Sequence, residues 1–214
     1  MSLYAWLDPW VARRPFEGRT ARRYATAERP AFGDLDQRLL ARFAVELSAA
    51  HRVLDLGSGT GDFAARIARE HPTLTVVAAE PSSAFTRSAP RGVVTIRTRG
   101  EALPLGDGTI DLAICLSSLR HLGDRASALR ELRRVVAPGG VVYVVELDPQ
   151  ADAPRALRHQ NALRSLVARW TFDPFLLRSG PTAAVFASLA RASGWARAEI
   201  GADPLQPVFV LRLS

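Results

Sequence analysis

The sequence has no lysine. All 28 of its basic residues are arginine, set against 21 acids for a formal charge of +7. That sign alone would suit an acidic partner, yet no block of like charge is present: residues 1–50, 51–150 and 151–214 carry net charges of +2, +1 and +4. A nucleic-acid binder gathers its basic residues on one face or stripe, so the dispersion argues against nucleic acid and for a solvated arginine-rich surface. The single cysteine, Cys115, excludes an internal disulfide and fits a reducing compartment. No apolar run approaches the roughly 18 residues of a membrane span, so no membrane partner is expected. The opening stretch "MSLYAWLDPWVARRPF" lacks the basic start, apolar centre and small-residue cleavage site of a secretory signal, which places the protein in the cytoplasm by expectation. Four histidines, His51, His71, His121 and His159, one cysteine and scattered acids show no metal-ligand spacing, and no metal is expected.

What is present suits one domain with a full core: 48% of the 214 residues are hydrophobic. Residues 1–50 read as helical, broken at Pro9, Pro15 and Pro30, with Leu39, Leu40, Phe43 and Leu47 at helical spacing. From residue 51 the pattern changes to strands alternating with helices: "HRVLDLG", "TLTVVAAE", "VVTIRTR", "TIDLAICLSS" and "GGVVYVVEL" as strands, "DFAARIAREH", "PSSAFTRSA" and "RASALRELRRVV" as helices. Such alternation implies βαβ units and a parallel sheet. The stretch "PRALRHQNALRSLVARW" reads as one helix with Leu163, Leu166, Val167 and Trp170 on a stripe. His159 lies on it beside Arg155 and Arg158 and is expected at the surface. A further helix, "TAAVFASLARASG", ends at Gly194 as a cap. The tail then reads as two strands joined by a turn, antiparallel to one another, which brings the strand count to seven.

The chemistry concentrates in "VLDLGSGTGDF". A glycine-rich turn between strand and helix lets a ligand approach the backbone and points helix N–H groups at it. The spacing is G-x-G-x-G, not the dinucleotide G-x-G-x-x-G, and Asp55 stands two residues before Gly57. A carboxylate there suits an ammonium group and not a pyrophosphate, so the turn fits a cofactor with an amino-acid end. Glu80 closes the second strand, where an acid can accept hydrogen bonds from both hydroxyls of a ribose.

With "VLDLGSGTG", then Glu80, then "GEALPLGDGTIDLAICLSSLRHL", then "LRRVVAPGG", residues 35–150 resemble the class I S-adenosylmethionine-dependent methyltransferases, in particular the small-molecule branch that includes the quinone C-methyltransferases. The resemblance implies a Rossmann-like α/β fold: a seven-stranded, mainly parallel sheet in the order 3-2-1-4-5-7-6, strand seven antiparallel, helices on both faces. It implies a helical N-terminal lid over residues 1–50 and a cofactor-binding domain over 51–214, within which 151–182 form a substrate-side insert. Gly57, Ser58, Gly59 and Gly61 match the loop beside the methionine moiety, Asp55 the motif acid, and Glu80, followed by Pro81 and Ser82, the ribose acid. Glu101 and Ala102 fall in the adenine-binding segment. There Arg99 replaces the family's usual aspartate, and an arginine offers no acceptor to an amine, so either Glu101 or a backbone carbonyl takes that role or the adenine ring is read differently. Cys115, Leu116 and Ser117 end strand four, where the family places the methionine and sulfonium, and Tyr24 resembles the lid tyrosine. The implied activity is methyl transfer from S-adenosylmethionine to a small-molecule acceptor.

His121, just past strand four on the ligand-binding side of an open α/β sheet, is the candidate base, with Arg120, Trp170 and Phe172 as candidate substrate-side residues. Arg130, Arg133 and Arg134 form a basic helix edge expected to be solvated. Two other readings use the same residues: an RNA or protein methyltransferase, and a non-catalytic cofactor-binding relative.

Overall fold

The structure is a computed structural model and describes residues 18–23, 25, 29–87 and 90–214. The helices are α1 (Gly18–Arg23), α2 (Leu35–Arg42), α3 (Ala44–Ala49), α4 (Asp62–Glu70), α5 (Ser83–Thr86), α6 (Arg125–Val135), α7 (Ala153–Ala162), α8 (Leu166–Thr171) and α9 (Ala183–Ala192). The strands are β1 (Arg52–Leu56), β2 (Thr75–Ala79), β3 (Val94–Ile96), β4 (Ile110–Leu116), β5 (Val136–Leu147), β6 (Ala198–Ala202) and β7 (Val208–Leu213). They form one sheet in the order β3-β2-β1-β4-β5-β7-β6. β7 runs antiparallel to both of its neighbours, and the other pairings are parallel. This is the order and the direction that the resemblance implied.

The central strands are apolar on both faces because helices cover both faces. On one side Leu54, Leu56, Ala113, Cys115, Val142 and Val144 pack against Leu129 and Leu132 of α6 and Phe186 and Ala187 of α9. On the other, Val53, Ile114 and Val145 meet Phe63 and Ile67 of α4. Leu39, Leu40, Phe43 and Leu47 join this second core, so the helical stripe read from the sequence makes α2 and α3 a layer of the domain. Arg38 of α2 adds a two-pronged contact to the buried Asp203 before β7, through Nε at 2.8 Å and Nη2 at 2.9 Å.

The insert departs from its expected form. The single helix over 154–170 is two helices, broken where Leu163 turns its side chain inward and Ser165 restarts the chain by accepting the Ala168 N–H. Ala31, Ala156, Leu163, Ala168, Phe172 and Leu177 build a third, small core that joins the N-terminal segment to the insert. The rest of the expected stripe faces out: Leu166, Val167 and Trp170 are 72%, 63% and 82% exposed. His159 is a correction too, being buried instead of solvated. Its ring lies between Phe32 and Phe172, and Nδ1 meets Gln206 Oε1 at 2.8 Å. Arg134 is likewise no solvated edge. Its guanidinium donates to Glu131, Asp107 and the Leu103 and Leu105 carbonyls. Among the described residues no helix is long and apolar enough to cross a membrane, and no group of three or more metal-ligating side chains is present.

Candidate functional site

The sheet order reverses between β1 and β4, which pair in parallel with Asp55 opposite Ile114. Open α/β sheets bind ligands in the crevice at the carboxyl ends of the strands beside such a switch point. The residues that end β1, β2, β4 and β5 therefore decide what this site can do.

After β1 the chain turns through Gly57, Gly59 and Gly61, with φ of +71°, +55° and +77°, a region L residues adopt only under strain. The Gly57 N–H donates to the Ala79 carbonyl at 2.7 Å. A Cβ at Gly57 would collide with the Ser118 side chain, whereas one at Gly59 would meet nothing within 4 Å. Gly57 therefore lets two strand ends approach, and Gly59 keeps backbone open beside free space. Gly61 caps α4, and Ser58 closes the turn by accepting the Gly61 N–H at 2.9 Å. Asp55 is 1% exposed, on the strand that feeds this turn.

Glu80, 6% exposed, follows β2. Its Oε2 accepts the Gly59 N–H at 2.9 Å and its Oε1 the Ser82 N–H at 2.8 Å. One carboxylate thus fixes the glycine turn to the chain after β2. Pro81 stands between these two anchors, its carbonyl accepting Arg97 Nε at 3.2 Å.

The end of β4 divides its expected roles. Cys115 is fully buried in the core, its Sγ 2.9 Å from Ser118 Oγ. Burial first, then the neighbouring Glu146 charge, pushes its thiol above the usual range. Leu116 and Ser117 keep partial exposure. Ser117 is the one described non-glycine residue with positive φ, +53°, and its buried Oγ has no hydrogen-bond partner among the described residues. Strain and an orphaned hydroxyl at a strand end mark a functional position. Glu101 lies nearby in sequence terms on a loop that reaches α6: its Oε1 accepts the Asp124 N–H at 3.3 Å. Ala102 and Arg99 are exposed.

Past β4 comes a single turn, Leu119–His121. His121 is only partly exposed. Burial, then the Arg120 and Arg125 charges, push its imidazole down to about 3. A depressed pKa keeps the ring uncharged near neutral pH and makes it a weaker proton acceptor. Arg120 uses its side chain structurally, donating through Nη2 to the Leu176 carbonyl at 2.9 Å. Phe172, 2% exposed, belongs to the third core, and Trp170 is 82% exposed. Tyr24 lies outside the described residues.

One site residue escaped the sequence reading. Glu146, at the end of β5, is 0% exposed. Its Oε1 accepts the Arg120 N–H at 3.0 Å, and the Leu119 N–H also favours its ionised form. Oε2 is buried without a partner among the described residues. Burial above all pushes its carboxyl up to about 7, against the pull of Arg120. The signal was an acid inside the otherwise apolar run "VVYVVEL".

A sheet of this order, with a glycine turn after β1 and an acid after β2, defines a class I methyltransferase fold. Residues 54–144 match the model of the methyltransferase domain family. The chain is 36% identical over 147 residues to the ubiquinone/menaquinone biosynthesis C-methyltransferase UbiE of Syntrophotalea carbinolica, covering 64% of this chain and 62% of that protein. It thus spans less than two thirds of that relative's length. Among solved structures, it is similar to an S-adenosylmethionine-dependent methyltransferase of Aquifex aeolicus, with a TM-score of 0.68 at 15% identity over 90% of this chain and 95% of that one. It is also similar to the cyclase SpnF, with a TM-score of 0.56 at 24% identity over 76% of this chain and 58% of that one. Both likenesses concern the fold. The residues present fit S-adenosylmethionine: a buried acid beside the glycine turn, open space in front of Gly59, and an acid after β2 where a ribose acid would stand.

Proposed function

We propose that the protein transfers a methyl group from S-adenosylmethionine to a small-molecule acceptor of the phenol or quinone type. The observation that carries this reading is the Glu80 carboxylate bridging the Gly59 and Ser82 N–H groups at the switch point. The relative that acts in quinone biosynthesis supports the acceptor class. The dispersed charge speaks against RNA, and the single buried cysteine suits a reducing cytoplasm.

When bound, the cofactor supplies an electrophilic methyl group and its own leaving group, so the chain's task is alignment and exclusion of water. Glu80 would hold the ribose, Asp55 the ammonium end, and the Gly57–Gly61 turn the methionine carboxylate near the start of α4. Leu116 and Ser117 would border the reacting centre. Adenine would lie against Glu101 and Ala102, with a backbone carbonyl or Glu101 accepting its amine. His121 would present a polar ring on the acceptor side.

The test has two arms. Calorimetry should show Glu80→Ala losing at least about tenfold in S-adenosylmethionine affinity, since a hydrogen bond to a charged group contributes about 1.5–3 kcal/mol. Label from methyl-labelled cofactor should pass into phenolic or quinone acceptors of a metabolite extract and not into RNA. Tight cofactor binding with no transfer to any arm would instead favour non-transferase chemistry, the use SpnF makes of this fold.

A further inference from the structure

Glu146 was given no part in holding the cofactor, yet it is fully buried and bonded to the turn after β4. It ends β5 at the rung beyond the Leu116–Val145 pair, next to the chain leaving β4. Its carboxylate anchors the Leu119–His121 turn by the Arg120 N–H. From that turn a chain of contacts runs outward. Arg125 Nη2 donates to the Arg120 carbonyl at 2.7 Å, and Arg120 Nη2 donates to the Leu176 carbonyl at 2.9 Å. Leu176 belongs to a π-helical turn, Phe172–Leu177. Gly180 closes against the same guanidinium, since a Cβ there would stand 2.8 Å from Arg120 Nη2. The carboxylate, the β4–α6 turn and residues 172–180 of the insert therefore form one connected unit.

We propose that Glu146 is a positioning residue of the acceptor pocket: its carboxylate fixes the Leu119–His121 turn and, through Arg120, docks residues 172–180 of the insert on the carboxyl edge of β4 and β5. This rests on reading that edge as the acceptor side of a methyltransferase. The charged form is the working one. Burying a carboxylate is tolerated only with compensation, and here the compensation is the Arg120 N–H together with the Arg120 and Arg125 charges. The remaining titratable neighbours do not compete, since Cys115 keeps its proton and His121 stays neutral. From β7 the register partner is the apolar Phe209. A proton on Glu146 removes the negative charge that the two arginines face and loosens the dock.

With the carboxyl pushed up to about 7, its ionised fraction is roughly one tenth at pH 6 and nine tenths at pH 8, which bounds the loss of docking at about tenfold. Apparent acceptor affinity scales with the competent fraction, so the acceptor KM of the wild type should rise by up to about tenfold from pH 8 to pH 6 while cofactor affinity holds. Glu146→Gln keeps an oxygen for the Arg120 N–H but never carries charge. It should show a raised acceptor KM that no longer varies over this range, with kcat changed much less. Independently of activity, hydrogen exchange at pH 8 should be faster in Glu146→Gln than in wild type over residues 172–180 and unchanged over β1 and β2. Equal exchange in the insert of the two proteins overturns the proposal whether or not methyl transfer is observed. A wild-type pH dependence of acceptor KM that persists in Glu146→Gln overturns it as well. Absent transfer and absent cofactor binding would count against the methyltransferase reading, while the exchange comparison still decides the docking role.

Discussion

Replacing His121 by glutamine should change how stability responds to acid more than it changes stability at neutral pH. The imidazole sits at about 3 in the folded protein, against an ordinary 6.5, because burial and then Arg120 and Arg125 disfavour its cation. A base with a depressed folded-state pKa is neutral in the native state and protonated in the unfolded one between those two values. The unfolded state then binds more protons, and stability falls as pH falls through that window. At about 1.4 kcal/mol per unit, moving from pH 7.5 to pH 5 should cost the wild type about 2 kcal/mol through this residue. In a chain of this size that is a melting-temperature loss of about 4–8 °C. Glu146 works in the opposite sense, because its folded pKa is raised to about 7 and the native state holds the extra proton. The buried His159, also depressed, adds to the loss. Those contributions are common to wild type and His121→Gln, so the difference between the two proteins isolates His121. Urea unfolding at both pH values measures it, and the wild type should fall about 2 kcal/mol further than the variant. Parallel decline within about 0.5 kcal/mol would mean that His121 titrates as in water and would refute its burial as the cause of the depressed pKa.

Gly59→Ala should keep the fold but lose S-adenosylmethionine affinity by tenfold or more in calorimetry, since the residue holds φ +55° with open space in front of it. Phe172→Ala should cost about 3–5 kcal/mol in urea unfolding as a fully packed ring is removed, while Trp170→Ala, at a residue 82% exposed, should stay within about 0.5 kcal/mol. Arg38→Ala should cost about 3–5 kcal/mol at pH 7, because it strands the buried Asp203 carboxylate. Burial alone would raise the Asp203 pKa, but Arg38 and two N–H groups hold it below the ordinary value. Its contribution is therefore present above the unfolded pKa and lost as pH falls through the folded one, so the gap between wild type and variant should close in acid.

The parts of the fold legible in the sequence are those fixed by short-range rules. Asp55, the three glycines and Glu80 sit where strand ends meet, and each is dictated locally, by positive φ at the glycines or by a lone acid after an apolar strand. The strand order followed from the resemblance, while the βαβ rhythm supplied the parallel sheet and the strand count. The helix at 154–170 was misread because its apolar spacing is the same whether the stripe turns inward or out. Only tertiary packing decides that Leu163 enters the third core and that Leu166, Val167 and Trp170 do not. His159 was misread for a related reason: its partners, Phe32, Phe172 and Gln206, are distant in sequence.

Burial inverts the ordinary expectation for the titratable groups past β4 and β5. By residue type, a histidine is the natural base at neutral pH and a glutamate the natural permanent anion. Here two arginines and a covered ring leave His121 neutral, while a covered carboxylate brings Glu146 to about 7. The same arginines act on both, repelling a proton from the histidine and drawing one away from the glutamate. In the glutamate they lose to desolvation, and in the histidine they add to it. The proton-binding group of this edge near neutral pH is thus the acid, and any pH dependence of acceptor handling should follow Glu146 and survive the loss of His121. Acceptor KM measured from pH 6 to pH 8 in His121→Gln should keep the change of up to about tenfold that Glu146→Gln abolishes. A profile that flattens in His121→Gln instead would return the titrating role to the histidine.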